Sequence, residues 1–149
     1  MISDRIERET LIDAPREVVW EVLTDPAHIV HWFADEIELD AGPGGPGTIT
    51  FHGHGSSRIP VERADRPRLF SWRWSHADGE PPDAGNSTLV EFTLSEEGGR
   101  TRLVIAESGI VDIDWDEERK RAFLADHAGG WGHHLGRIVT YAAEVAEAR

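Results

Sequence analysis

The sequence contains no cysteine, so disulfides, thiolate metal sites and cysteine nucleophiles are all excluded. Positive charge is scarce. Lys and Arg total 15 against 28 Asp and Glu, Lys120 is the only lysine, and the net charge is -13 at pH 7. So acidic a surface repels phosphate backbones and anionic lipid, which argues against nucleic acid and membranes as partners. No apolar run approaches the roughly 20 residues needed to span a bilayer. Met1 to Glu9 is charged and lacks the apolar core of a signal peptide, so the simplest compartment is the cytoplasm. There is no G-x-S-x-G, no serine stands out next to a base, and Gly42 to Gly47 lacks the Lys and Ser/Thr of a phosphate loop and reads as a turn. No repeat, low-complexity tract or linker divides the chain, so 1–149 is expected to be one domain.

What is present alternates in a readable way. Arg5 to Ile12 reads as a strand rich in charge, at a sheet edge or half exposed. Asp13-Ala14-Pro15 is a helix start with Asp13 as cap, and Val18, Val19, Val22 and Leu23 form its apolar stripe. Thr24-Asp25-Pro26 repeats the signal, predicting a second short helix over Ala27 to Trp32. Strand patterns follow at Ile37/Leu39, Ile49/Phe51, Ile59/Val61, Leu69 to Ser75, Leu89 to Leu94 and Arg102 to Glu107, the last two joined by a hairpin at Glu97 to Arg100. The clearest strand puts Phe70, Trp72 and Trp74 on one face. A final helix, its capping box at Asp114 and Glu117, carries Trp131, Leu135, Ile138, Ala142 and Val145 in one stripe about four turns long. Gly129 and Gly130 just upstream mark a kink or a close approach to the sheet. Strands in a run with segregated helices mean α+β: a curved antiparallel sheet of about six or seven strands wrapped around a long C-terminal helix, with two short helices after the first strand.

Several of these segments carry a family likeness. Ile12 to Pro15, Val19-Trp20, Leu23 to Pro26, Trp32-Phe33, Pro67 to Leu69 leading to Trp72, Gly98 to Leu103, Glu107 to Ile110 and Gly130-Trp131 occur in this order and spacing. Together they resemble the START-like, or SRPBCC, superfamily of helix-grip folds. The closer likeness is to the branch named for homologues of the activator of the ninety-kilodalton heat-shock chaperone ATPase. The resemblance implies a cavity between sheet and C-terminal helix. It does not fix an activity, because function lives in the site and not in the fold.

Trp32, Phe33, Phe51, Phe70, Trp72, Trp74, Phe92, Trp131 and Leu135 are the candidate cavity lining; the alternative for each is plain core packing. Glu107 shares a strand face with Leu103 and Ile105 and points inward as an acid, base or ligand anchor, or else reaches solvent or an Arg at the strand end. Among eight histidines, His52 and His54 share a strand face, and His133 and His134 diverge by about 100° on a helix. No HExxH occurs, and no metal or other cofactor is expected. His134, three residues from Trp131, borders the cavity or sits at the surface. The reading that follows is non-catalytic binding or carriage of a small apolar or aromatic molecule by a monomer or homodimer. The alternatives are a co-chaperone or stress partner of a chaperone protein, and a cyclase-like enzyme using Glu107. The charge alone yields one expectation: mobility-shift assays at micromolar protein show no salt-sensitive complex with DNA or RNA.

Overall fold

The computed structural model describes residues 4–77 and 79–149; the reading of Met1 to Ser3, and of Asp78 within the polar loop after the central strand, falls outside them. The order is β1 (Arg5–Ile12), α1 (Arg16–Thr24), α2 (Pro26–Ile29), β2 (Glu36–Leu39), β3 (Gly47–Phe51), β4 (Gly55–Arg58), β5 (Val61–Asp65), β6 (Leu69–Ser75), β7 (Ser87–Glu97), β8 (Arg100–Ser108), a 3-10 turn (Ile110–Asp112) and α3 (Glu117–Glu147). This is the α+β helix-grip architecture. Its strands are antiparallel, in hydrogen-bonded sets β1-β8-β7-β6-β5 and β2-β3-β4. Backbone bonds from Ile59 to Gly47, from Val61 to Gly45 and from Arg73 to Pro60 carry the curvature from one set to the other.

Local chemistry explains where the structure departs from expectation. Helix α1 starts after Pro15, which is extended at φ -63 and ψ 152 and makes no side-chain cap, so Asp13 caps nothing. Asp25 does cap α2 through Ala27 N–H, but the helix ends at Ile29 and turns follow to Phe33. Gly53 and Gly55, at φ 85 and 88, allow a tight reversal that adds strand β4, unmarked by any apolar alternation. Because β3 stops at Phe51, His52 and His54 lie in that reversal and share no strand face. Asp116, not Asp114, caps α3 by accepting from Arg119 N–H at 2.8 Å. The helix is 31 residues long and continues unbroken through Gly129 and Gly130, where an added Cβ would meet nothing within 4 Å, so neither glycine serves a close approach.

The helix splits its duties along its length. Its second half buries Trp131, Leu135, Ile138 and Ala142 against the sheet. Trp32, Phe70, Trp72 and Phe92, all fully buried, form the floor beneath them. On β1, Arg8 reaches across to the Ala128 carbonyl at 3.2 Å, so a charged strand still docks on the helix. Trp131 joins helix to floor, packing on Phe33 and Phe92 at 5.5 and 5.9 Å between ring centroids. Trp131→Ala is expected to lower stability by about 3–5 kcal/mol, read as a drop in the urea midpoint; an unchanged midpoint contradicts this docking.

Candidate ligand-binding cleft

Register decides which side chains reach the site. On β8, Leu103, Ile105 and Glu107 share the inward face, with Glu107 opposite Val90 on β7 and Ile6 on β1. On β6 the corresponding stripe is Phe70, Trp72 and Trp74, with Trp74 opposite Thr88. The two stripes are apolar along their length and turn polar at the same end of the sheet. There the first half of α3 passes over them, and a cleft of about 500 Å³ opens between helix and strands.

The cleft is walled by aromatic rings: Phe33, Phe51, Trp74, Trp115, Phe123 and Trp131. Phe33 and Trp131 lie nearly parallel, 7° apart. Phe123 stacks on His127 at 3.7 Å, and Trp74 lies 5.1 Å from the same imidazole. The polar lining comprises His76, His127, His134, His54, Ser57, Arg119 and Asp126. Arg119 holds its guanidinium over the Trp115 ring at 4.0 Å, a cation–π contact at the rim. A second depression of about 630 Å³ lies on the outer face of α3 beside His31 and Tyr141, which stack at 4.7 Å. It is larger but lies open along the helix surface, and the buried polar cluster around Glu107 belongs to the first cleft.

Glu107 is fully buried behind the lining and takes three donors. His127 Nδ1 lies 2.6 Å and Trp131 Nε1 2.9 Å from its Oε1, and the Thr88 hydroxyl donates to Oε2 at 2.6 Å. Thr88 spends its one proton on the carboxylate, so the His76 Nε2 that touches Thr88 Oγ1 at 2.9 Å must be the donor of that pair. His134 Nδ1 donates to the Trp32 carbonyl at 2.9 Å by the same logic. Each imidazole therefore has a settled tautomer and one nitrogen left over. Among the described residues, the buried side-chain polar atom without a partner is Trp72 Nε1, so the leftover nitrogens are not sealed away.

Burial is the strongest influence on the Glu107 carboxyl and works to push its pKa up. Bonds and charge from His127, then bonds from Thr88 and Trp131, outweigh it and hold the group below the usual carboxylate range. Burial pushes His76 down from 6.5 to about 4, against the pull of Glu107 and helped by His127 and Arg119. Burial also lowers His134, against its bond to the Trp32 carbonyl.

Of the residues expected to line a cavity, Phe33, Phe51, Trp74, Trp131 and His134 do so. Glu107 points inward and pairs with no Arg, but it stands behind the wall. Trp32, Phe70, Trp72, Phe92 and Leu135 lie in the core beneath the cleft and not along it. Sequence reasoning missed His127, Phe123 and Arg119 because it began the inward stripe of the final helix at Trp131, although it placed the cap at Asp114 and Glu117. Stepping back from Trp131 by fours lands on all three, a signal that was present. His76 continues the period-two stripe of Phe70, Trp72 and Trp74 one residue past the end of β6, and Trp115 continues the step of four just ahead of the start of α3. Among the described residues no group of His, Asp and Glu converges as a metal site.

The acid response follows from these shifts. Between 6.5 and about 4 the unfolded chain protonates His76 while the folded one does not, so stability falls as pH falls through that window. Glu107, lowered in the fold, adds stability above its unfolded pKa that is lost as pH drops through its folded value. Thermal melts across the window should register a loss on the order of 3 kcal/mol from His76, and His76→Gln should flatten the slope.

Comparison with known proteins places this architecture. Protein MLL2253 from Mesorhizobium loti superposes with a TM-score of 0.77 at 22% identity, over 92% of this chain and 95% of that one. The Aha1 dimer from Colwellia psychrerythraea superposes with a TM-score of 0.75 at 20% identity, over 93% and 94%. DynU16, a protein in the dynemicin biosynthetic locus, gives 0.75 at 22% identity, over 94% of this chain but 47% of that one. At such identities the likeness is one of fold. A search among curated proteins gives no match. No helix among the described residues is long and apolar enough to cross a membrane. The family described as Activator of Hsp90 ATPase homolog 1-like protein matches residues 13–143, nearly the whole chain, and the protein belongs to that family.

Proposed function

We propose that the protein binds a small, flat, largely apolar or aromatic molecule in the cleft between the sheet and the first half of α3. The observation that carries this reading is the cleft itself: about 500 Å³ walled by six aromatic rings, with four histidines, Ser57, Arg119 and Asp126 set among them. A pocket of mostly apolar walls with a few placed polar groups suits such a ligand. Burying about 200 Å² of apolar ligand surface is worth roughly 5 kcal/mol before ordering costs. Shape alone therefore supports an affinity no tighter than about 200 micromolar, and a polar anchor strengthens it. DynU16, from a biosynthetic locus, shares the fold and is consistent with a small-molecule role. The chaperone-partner reading rests on the family description alone.

The Glu107–His127 pair favours a second reading, an acid–base enzyme. The carboxylate is sealed from the cleft, so proton transfer would run through His127, with Glu107 fixing its tautomer and supporting the imidazolium. Turnover screening with a Glu107→Gln control separates the enzyme from the carrier.

Gly130 supplies the binding test. It lines the cleft, and an added Cβ would meet nothing within 4 Å, so a larger side chain there projects into open space. Gly130→Phe should leave the melting temperature at or above that of the parent and abolish ligand-induced changes in tryptophan fluorescence across a panel of aromatic compounds. A panel that leaves the parent's fluorescence and melting unchanged would sink the binding reading.

A further inference from the structure

The three histidines at the cleft are all committed as donors to the protein. His127 gives its Nδ1 proton to Glu107, His134 gives its Nδ1 proton to the Trp32 carbonyl, and His76 gives its Nε2 proton to Thr88. The nitrogens left over, His127 Nε2, His134 Nε2 and His76 Nδ1, are lone-pair acceptors, and none is sealed from open space. A wall that presents acceptors selects a ligand that brings donors, because an acceptor covered without a partner pays its desolvation in full.

His127 is the best placed of the three. Its ring stacks on Phe123 at 3.7 Å and lies 5.1 Å from the tilted ring of Trp74, so a flat ligand lying against those walls has the imidazole within reach. Glu107 behind it makes Nε2 a stronger acceptor than a free imidazole. The other titratable and charged groups around it are His76 after β6, and Arg119, Asp126 and His134 on its own helix. Arg119 at the rim favours a donor that gains negative character, which a phenol does and an ammonium does not.

We propose that the cleft recognises a hydroxylated aromatic molecule whose phenolic O–H is donated to His127 Nε2, with Glu107 as the positioning residue that aims the imidazole. The proposal rests on the ligand-binding reading above and names the ligand class for that site.

The test is calorimetric titration of the full-length protein near neutral pH with three probes of one shape: β-naphthol, its methyl ether, and naphthalene. β-Naphthol should bind about tenfold or more tighter than the ether, and naphthalene should track the ether. In His127→Phe that preference should collapse toward unity while the affinity for the ether stays the same. Glu107→Gln should reduce the preference, again without changing ether binding, which a merely structural role would not do. His133→Gln, on the exposed outer face of α3, should leave it intact. Should His127→Phe fail to fold, judged by thermal melting, the parent's naphthol-to-ether ratio still decides. Equal binding of naphthol and ether overturns the proposal and leaves the ligand-binding reading standing. A naphthol preference that survives in folded His127→Phe overturns the assignment to His127. No binding of any probe overturns both.

Discussion

A carboxylate removed from water must be met by donors or give up its charge. Glu107 is met from two directions: Thr88 on the neighbouring strand, and His127 and Trp131 on the helix that covers the sheet. Packing among rings tolerates small slips, but these hydrogen bonds do not. If α3 rotated or slid along the sheet, it would strand a buried charge, and that costs far more than a poor van der Waals contact. The helix is therefore held in register by a polar contact set inside an apolar grip, and the cleft lies beside that contact.

The same arrangement explains why one sheet face serves two purposes. Along β6, β7 and β8 the inward stripe starts with Phe70, Phe92 and Leu103 and ends with Trp74, Thr88 and Glu107. The apolar end meets the buried stripe of α3 and closes as core. The polar end meets the amphipathic first half of the helix, where His127 reaches down to Glu107 while Arg119 and Asp126 line the open cleft. Gly130 sits at the join and leaves a gap that any larger side chain would enter.

Much of this was legible in the sequence, for a physical reason. Period-two stripes such as Phe70/Trp72/Trp74 and period-3.6 stripes such as Trp131/Leu135/Ile138 record which face is buried, so fold class and most elements follow. The inward aim of Glu107 followed from the same alternation. What alternation does not record is where two buried faces part. Trp72 and Trp74 look alike in a strand pattern, yet one is sealed in the core and the other walls the cleft. Strand β4 was invisible because its sequence, Gly55 to Arg58, has no apolar period, and its position comes from the glycine reversal before it. The partners of Glu107 come from residues 19, 20 and 24 positions away on other elements, so only tertiary structure brings them together.

Phe33 and Trp131 belong to both the core and the cleft wall. A molecule seated against them bears on the surface that clamps α3 to the sheet. Occupancy and folding are then two readings of one equilibrium: by mass action, whatever fills the cleft raises the free energy of unfolding in proportion to the logarithm of its concentration over its dissociation constant. Equally, anything that loosens the helix weakens retention of the occupant by the same free energy. Heat or acid that frees α3 would thereby also empty the cleft of any occupant.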